Sequence, residues 1–207
     1  MAQRPGRVVM LIGTSSAGKT STATALQGCL DEHHLLTGLD VFFAMIDPRW
    51  GGHGTHTQQG FRYDPSGTDE SGAVISTISC GPVGRQVLEG THRAVAALAR
   101  SGNHVIVDEM LLDDTVLVDW QTALEGLPVY VVQVQAPIDV LVERERRRGQ
   151  HPGLARGHLA VNSLACCDIA VDTSLKTADA CAADIAAAIS HKPEDASSLR
   201  RNPFTRV

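Results

Sequence analysis

Lysine is nearly missing from this chain: Lys19, Lys176 and Lys192 are the whole set in 207 residues. With 18 Lys and Arg against 23 acids the formal charge is -5, so the clustered basic face that a nucleic-acid backbone requires is not expected. The same scarcity leaves no Asn-Lys-x-Asp pattern, the guanine-reading signature of a nucleotide-dependent switch. Cysteine shows no pairing logic either: Cys29, Cys80, Cys166, Cys167 and Cys181 are an odd number without a Cys-x-x-Cys spacing, which points to a reducing compartment. No apolar run approaches the ~18 residues of a membrane span. The five apolar residues Val8 to Ile12 behind Arg4 and Arg7 are too few for a secretory leader, so a soluble cytoplasmic protein is expected. Internal repeats and low-complexity tracts are also missing.

What is present suits one globular domain. Hydrophobic residues at 43%, charged residues at 20% and a mean hydropathy of -0.03 exclude wholesale disorder and fibrous classes. Apolar runs alternate with helical patterns, the signature of parallel βαβ units. Strands are expected at Val8 to Ile12, Leu35 to Leu39, His104 to Val107, Val129 to Val134 and Ile169 to Val171, near-continuous in Val, Leu and Ile as a sheet covered on both faces requires. Helices fit at Lys19 to Leu30, Gly84 to Arg100, Asp114 to Leu124, Ile138 to Arg148, Leu154 to Leu164 and Ala178 to Ile189. The fold class is therefore α/β, three layers around a five-stranded, mainly parallel sheet. Residues 1–191 form the domain and 192–207 a polar C-terminal extension. An insertion at about 48–79, rich in Gly, His, Gln and Ser, breaks the rhythm, and Phe61 to Tyr63 could pair with Ala73 to Ile78 as a hairpin.

Gly13-Thr14-Ser15-Ser16-Ala17-Gly18-Lys19-Thr20 is a full GxxxxGK[ST] match between an apolar strand and a helix. Its backbone N–H groups and the helix N-terminus, which Ser21 continues, suit a phosphate chain, and Lys19 suits the β and γ oxygens. Gly13, Ser15, Ser16, Ala17, Gly18, Lys19, Thr20 and Ser21 are thus the expected ATP-binding residues, with Thr20 on magnesium.

Two acids follow from strand ends. Val105-Ile106-Val107-Asp108-Glu109 places Asp108 as the second magnesium-side group. Leu36-Thr37-Gly38-Leu39-Asp40 ends a shorter strand, and ligands of such sheets lie beyond the carboxyl ends. Transfer of phosphate to a hydroxyl needs a carboxylate that orients it and takes its proton, and Asp40 fits this better than Asp47, which precedes Pro48 and reads as a turn residue.

In Glu143-Arg144-Glu145-Arg146-Arg147-Arg148-Gly149, residues 144, 147 and 148 share one helix side. A lid at about 144–157, its tip between Gly149 and Gly157, would bring Arg144 or Arg148 to the transferring phosphate. The plainer reading is a solvated face with Glu143 and Arg147 paired. His53 and His56 lack a third ligand and are assigned no metal, and Cys166 and Cys167 are expected to pack as small apolar residues.

With these motifs in order, the chain resembles the chloramphenicol phosphotransferase family of small P-loop kinases. The loop core Ser16 to Thr20 is similar to the family's phosphate loop and Gly38-Leu39-Asp40 to its Gly-x-Asp with the catalytic acid. Ala99 to Gly102 leading into Val105 to Glu109, Arg144 and Arg148 with Gly149, and Val171-Asp172-Thr173 match its third strand entry, lid helix and last strand. The resemblance implies a three-layer P-loop kinase fold, with ATP and Mg2+ serving γ-phosphoryl transfer to a hydroxyl of a small molecule such as an antibiotic or related natural product. Lys19, Asp40, Arg144 and Arg148 would be catalytic, and Thr20 and Asp108 metal-side. Val41 to Ser79 is longer and richer in His and Gly than the family pattern, so a sugar, nucleotide sugar or other hydroxylated metabolite stands as the alternative acceptor. A nucleotide-dependent regulatory switch is the alternative of another class. The expected partner is a small hydroxylated molecule, and a homo-oligomer is compatible with the reading.

Overall fold

Sequence runs too apolar for a one-sided sheet become the buried centre of the computed structural model, which describes residues 4–190 apart from 71, 150 and 164–166. The first strand, β1 (Val8–Ile12), is buried at all five positions. It is followed by α1 (Lys19–Cys29), β2 (His34–Gly38), a short α2 (Leu39–Phe43), one 3-10 turn (Pro48–Trp50) and a hairpin of β3 (Phe61–Thr68) and β4 (Val74–Cys80). Then come α3 (Pro82–Arg100), β5 (His104–Glu109), α4 (Asp114–Ala123), β6 (Val129–Gln135), α5 (Ile138–Arg148), α6 (Leu154–Gly157), β7 (Ile169–Asp172) and α7 (Ala178–Ser190).

The main sheet has the order β2-β5-β1-β6-β7 and every pairing in it is parallel. Alternate side chains serve two cores. Met10, Val107, Val131 and Trp120 lie in one cluster; Leu11, Ile106, Val132, Leu26 and Ile185 lie in the other. That double burial is why the strands read as unbroken Val, Ile and Leu instead of alternating. Helix α3 presents Leu88, Thr91, His92, Val95 and Ala99 inward at three- and four-residue steps. It stops at Arg100, with Gly102 just beyond in the left-handed region at φ 88°.

Two expected elements change shape. The strand expected at Leu35 to Leu39 stops at Gly38, and Leu39 opens α2, so Asp40 stands in the first turn of a short helix and not on a strand end. The helix expected at Leu154 to Leu164 keeps helical form only to Gly157. That segment is moulded onto β4: the Ser76 N–H donates to the Gly153 carbonyl at 3.1 Å, and a Cβ at Gly157 would fall 1.8 Å from the Ser76 carbonyl oxygen. Leu164, Cys166 and the 192–207 extension lie outside the described residues.

The segment expected as an insertion at about 48–79 holds a capped turn and the two-stranded hairpin β3-β4, its strands longer than expected. Asp47 caps that turn, accepting the Arg49 N–H at 3.0 Å, in keeping with its turn reading. Phe61 anchors the hairpin in the core, 2% exposed, with its ring edge-on to Phe43 at 5.1 Å.

Candidate active site

The phosphate loop leaves the buried end of β1 and turns back through two left-handed residues, Ser16 at φ 61° and Gly18 at φ 91°. Gly18 starts α1 without a side-chain cap, leaving the helix N-terminus free for a ligand. Lys19 is buried, its Nζ donating to the Thr14 carbonyl at 3.0 Å and standing 3.9 Å from Asp108 Oδ1. Burial lowers its pKa, while the charges of Asp108, Glu109 and Asp40 pull the other way. The Thr20 hydroxyl donates to Asp108 Oδ2 at 2.6 Å. Strand β5 thus brings Asp108 to the loop, as its acid-ended apolar run implies.

Neighbouring acids of β5 are separated by the strand's own alternation. Asp108 faces the loop, whereas Glu109 is 1% exposed in the α3–α4 layer. The Trp120 indole N–H donates to Glu109 Oε2 at 3.2 Å and Oε1 has no partner. Burial above all pushes the Glu109 carboxyl up to about 8. Of these two neighbouring acids, Asp108 is the one whose carboxylate meets the loop, through Thr20 and Lys19.

Asp40 reaches the same place through Gly38. Gly38 pairs with Asp108 across the sheet, and a Cβ there would lie 2.1 Å from the Asp108 carbonyl oxygen, so only glycine lets the chain turn into α2 at this depth. The exposed Asp40 carboxylate has no hydrogen-bond or ion-pair partner among the described residues and lines a cavity of about 290 Å³ together with Lys19 and Thr20. Opposite the loop the wall is apolar and aromatic: Leu39, Phe43, Phe61, Tyr63, Ile78 and Leu112. Burial raises the Tyr63 phenol, and the Asp40 charge adds to it, which ties the two groups electrostatically.

The arginines divide. Arg144 Nη1 donates to the Ser16 carbonyl at 3.2 Å and to Thr173 Oγ1 at 2.8 Å, and Nη2 to the Thr173 carbonyl at 2.9 Å. The Thr173 hydroxyl in turn donates to the Ala17 carbonyl at 2.8 Å, so Arg144 braces the loop from behind. Glu143 pairs with both Arg146 and Arg147 at 2.8 Å on the solvent face, the plainer reading of this helix. Arg148 is exposed and forms no ion pair among the described residues. It lines the 290 Å³ cavity and also a second one of about 400 Å³, bounded by Ser21, Thr22, Thr173 and Lys176 behind the loop.

Residues beyond those expected complete the site. The Glu145 carboxylate accepts N–H groups of Gly153 at 3.0 Å and Ala155 at 2.6 Å, capping α6. Arg156 pairs with Asp69 at 2.5 Å, and the Ile78 N–H donates to His158 Nε2 at 2.8 Å, so the segment that follows α5 is fastened to the β3–β4 hairpin. Sequence reasoning placed the 144–157 segment at the transferring phosphate and the 48–79 segment at the acceptor but had no signal for their joining, which depends on pairings across 80 or more positions. His53 lies beside Tyr63 and His56 beside Trp50. Cys167 is half-buried against the core.

Comparison with known proteins gives the family and the fold. Residues 6–190 match the family model described as chloramphenicol phosphotransferase-like protein. A protein of Mycobacterium tuberculosis named as a candidate O-phosphotransferase is 32% identical over 159 residues, 76% of this chain and 70% of that one. Among solved structures, a sugar kinase from Janibacter superposes with a TM-score of 0.62 at 20% identity, covering 93% of this chain and 99% of that one. The APS kinase of Mycobacterium tuberculosis, in complex with AMPPNP and APS, follows with a TM-score of 0.60 at 17% identity, covering 90% and 99%. The fold is that of the P-loop kinases.

Proposed function

We propose that this chain, which belongs to the chloramphenicol phosphotransferase-like family, transfers the γ-phosphoryl group of ATP to a hydroxyl of a small, uncharged, largely apolar molecule such as an antibiotic or related natural product. The reading rests on one observation: Lys19, Arg148 and the unpartnered Asp40 converge on a single cavity whose far wall is apolar and aromatic. In that cavity the fixed cations, among the described residues, are Lys19 and Arg148, both at the phosphate end. An acceptor that carries its own carboxylate, sulfate or phosphate would want a cation in the far wall, which disfavours a nucleotide sugar. A regulatory switch has no use for an acceptor cavity beside its phosphate loop.

Thr20 and Asp108 offer two hard oxygen donors 2.6 Å apart beside Lys19, the donor set that suits a magnesium ion. Bound there, magnesium would neutralise charge on the β and γ oxygens. The chain's own residues do the rest. The loop N–H groups and Lys19 hold the phosphates, and Asp40 accepts the acceptor's hydroxyl proton as its oxygen bonds to the γ-phosphorus. The bond from that phosphorus to the β–γ bridging oxygen breaks, ADP leaves, and Arg148 meets charge spread over the equatorial oxygens.

The test is a screen of hydroxylated compounds, chloramphenicol included, with ATP and magnesium, following ADP release and product mass. A phosphorylated acceptor whose formation needs Lys19 supports the reading. Steady ATP hydrolysis with no acceptor modified would favour the switch.

A further inference from the structure

Among the contacts that join the β3–β4 hairpin to the segment after α5 is an aromatic one. The rings of Tyr63, on β3, and His151, just after α5, stack with centroids 4.1 Å apart and planes 8° from parallel. Both residues line the 290 Å³ cavity that holds Asp40, and both also line an outer pocket of about 240 Å³ together with His53, Pro65, Val74 and Pro152. With Leu154, which also lines both, the stack stands between the cavity that holds Asp40 and the outer pocket.

Its construction is specific. His151 holds φ 47°, a left-handed backbone that side chains other than glycine seldom adopt. The chain beyond it is fixed, since Gly153 donates its N–H to Glu145 and accepts from Ser76 through its carbonyl. Neither the Tyr63 hydroxyl nor the His151 ring nitrogens have a hydrogen-bond partner among the described residues. The rings are therefore held by stacking and packing alone, and no polar network is lost when one of them is shortened.

We propose that the Tyr63–His151 stack is the end wall of the acceptor site and sets the length of acceptor the enzyme takes, a proposal that rests on the phosphotransferase reading above. Acceptors that fit the inner cavity are phosphorylated. Those with a longer apolar tail meet the two rings, and removing either ring joins the outer pocket to the site and admits them. The outer pocket's Pro65, Val74 and Pro152 suit an alkyl or aryl tail.

The experiment measures kcat/KM for benzyl alcohol, phenethyl alcohol, phenylbutanol and phenylhexanol with Mg-ATP. The enzymes are wild type, Tyr63→Ala, His151→Gly and Tyr63→Phe. Glycine at 151 is compatible with the left-handed backbone, and phenylalanine at 63 keeps the stack. The ratio of the longest to the shortest alcohol cancels any loss of folded enzyme. It should rise about tenfold or more in Tyr63→Ala and His151→Gly and stay near wild type in Tyr63→Phe, a change of ~1.4 kcal/mol in relative transition-state binding. An unchanged ratio, an equal rise in Tyr63→Phe, or a panel left unmodified by every enzyme while Lys19-dependent ATP turnover persists would overturn the proposal. ATP hydrolysis with no alcohol and no other hydroxylated compound modified would instead strike at the phosphotransferase reading itself.

Discussion

Gly38 and the Asp108 carbonyl touch across the β2–β5 pair, so closely that a Cβ at Gly38 would fall 2.1 Å from that oxygen. The contact sets the spacing between the strand that carries Asp108 and the turn that carries Asp40. Gly38→Ala must push two hydrogen-bonded strands apart, an overpacking that costs ~1–3 kcal/mol. Turnover should fall further than this loss implies, because both acids move. Urea unfolding and kcat checked together decide it; a variant within ~0.5 kcal/mol and threefold in kcat of wild type would mean the contact is slack.

How much of this could be read from the residues depended on the range of the interactions. Val8 to Ile12 and Val105 to Glu109 declare themselves because a strand buried on both faces has no alternation to hide in, and an acid at its end stands out. Leu39 to Phe43 did not: Leu-Asp-Val-Phe-Phe is as apolar as the strand before it, and the turn into helix is imposed by the docking of Gly38 on Asp108. Arg144 and Arg148 share one helical spacing, and only Thr173, brought in by β7, separates a brace from a free cation. Tyr63 and His151 stand 88 positions apart with no pattern linking them.

Lys19→Ala should abolish transfer while the fold survives. The lysine is buried with its Nζ on the Thr14 carbonyl and 3.9 Å from Asp108, so its loss removes a preorganised charge from the transferring phosphoryl, worth roughly 10²–10³ in kcat for one such donor. Circular dichroism and ATP turnover compared with wild type test it. Activity within about threefold, under ~0.7 kcal/mol of barrier, would sink the phosphate-loop assignment.

The two helix arginines should fail differently. Arg144 carries the Ser16 and Thr173 carbonyls, so Arg144→Ala should loosen the loop and raise KM for ATP along with any fall in kcat. Arg148 makes no ion pair among the described residues and faces both cavities, so Arg148→Ala should lower kcat with KM for ATP little changed, as a contact made in the transition state requires. Single-turnover rates at saturating ATP separate the cases. Unchanged rates in both variants would leave the helix a solvated face.

Acid should weaken the join between hairpin and lid. Burial holds the His158 imidazole below its ordinary value, and its Nε2 accepts the Ile78 N–H at 2.8 Å, which a protonated ring cannot do. A folded-state pKa below the unfolded ~6.5 gives stability that is fully present above pH 6.5 and declines as pH falls toward the folded value. His34 and His92 are also held low by burial and remain in both proteins, so the comparison of wild type with His158→Gln isolates this one group. Between pH 7.5 and 5.5 wild type should lose more stability than the variant, the extra slope limited to ~1.4 kcal/mol per pH unit. Parallel denaturation curves across that range would show that the ring does not titrate with folding.

Asp40 and Asp108 should part company when each is made an amide. Asp108 takes the Thr20 hydroxyl at 2.6 Å and sits 3.9 Å from Lys19, where the magnesium ion is proposed. Asp40 stands on α2 with a free carboxylate toward the aromatic wall. Asparagine keeps the shape and one accepting oxygen at either place but removes the charge and the ability to take a proton. A base contributes ~10²–10⁴ to transfer, ~3–5 kcal/mol, so Asp40→Asn should lose acceptor phosphorylation by that factor while Mg-ATP still binds. Asp108→Asn removes the charge beside the metal and should raise the magnesium concentration needed for half-maximal turnover. Calorimetry of Mg-ATP binding and turnover across a magnesium series, on both variants, give four outcomes to compare. Loss of Mg-ATP binding in Asp40→Asn, or turnover near wild type, would end its assignment as the base; an unchanged magnesium dependence in Asp108→Asn would move the metal away from β5.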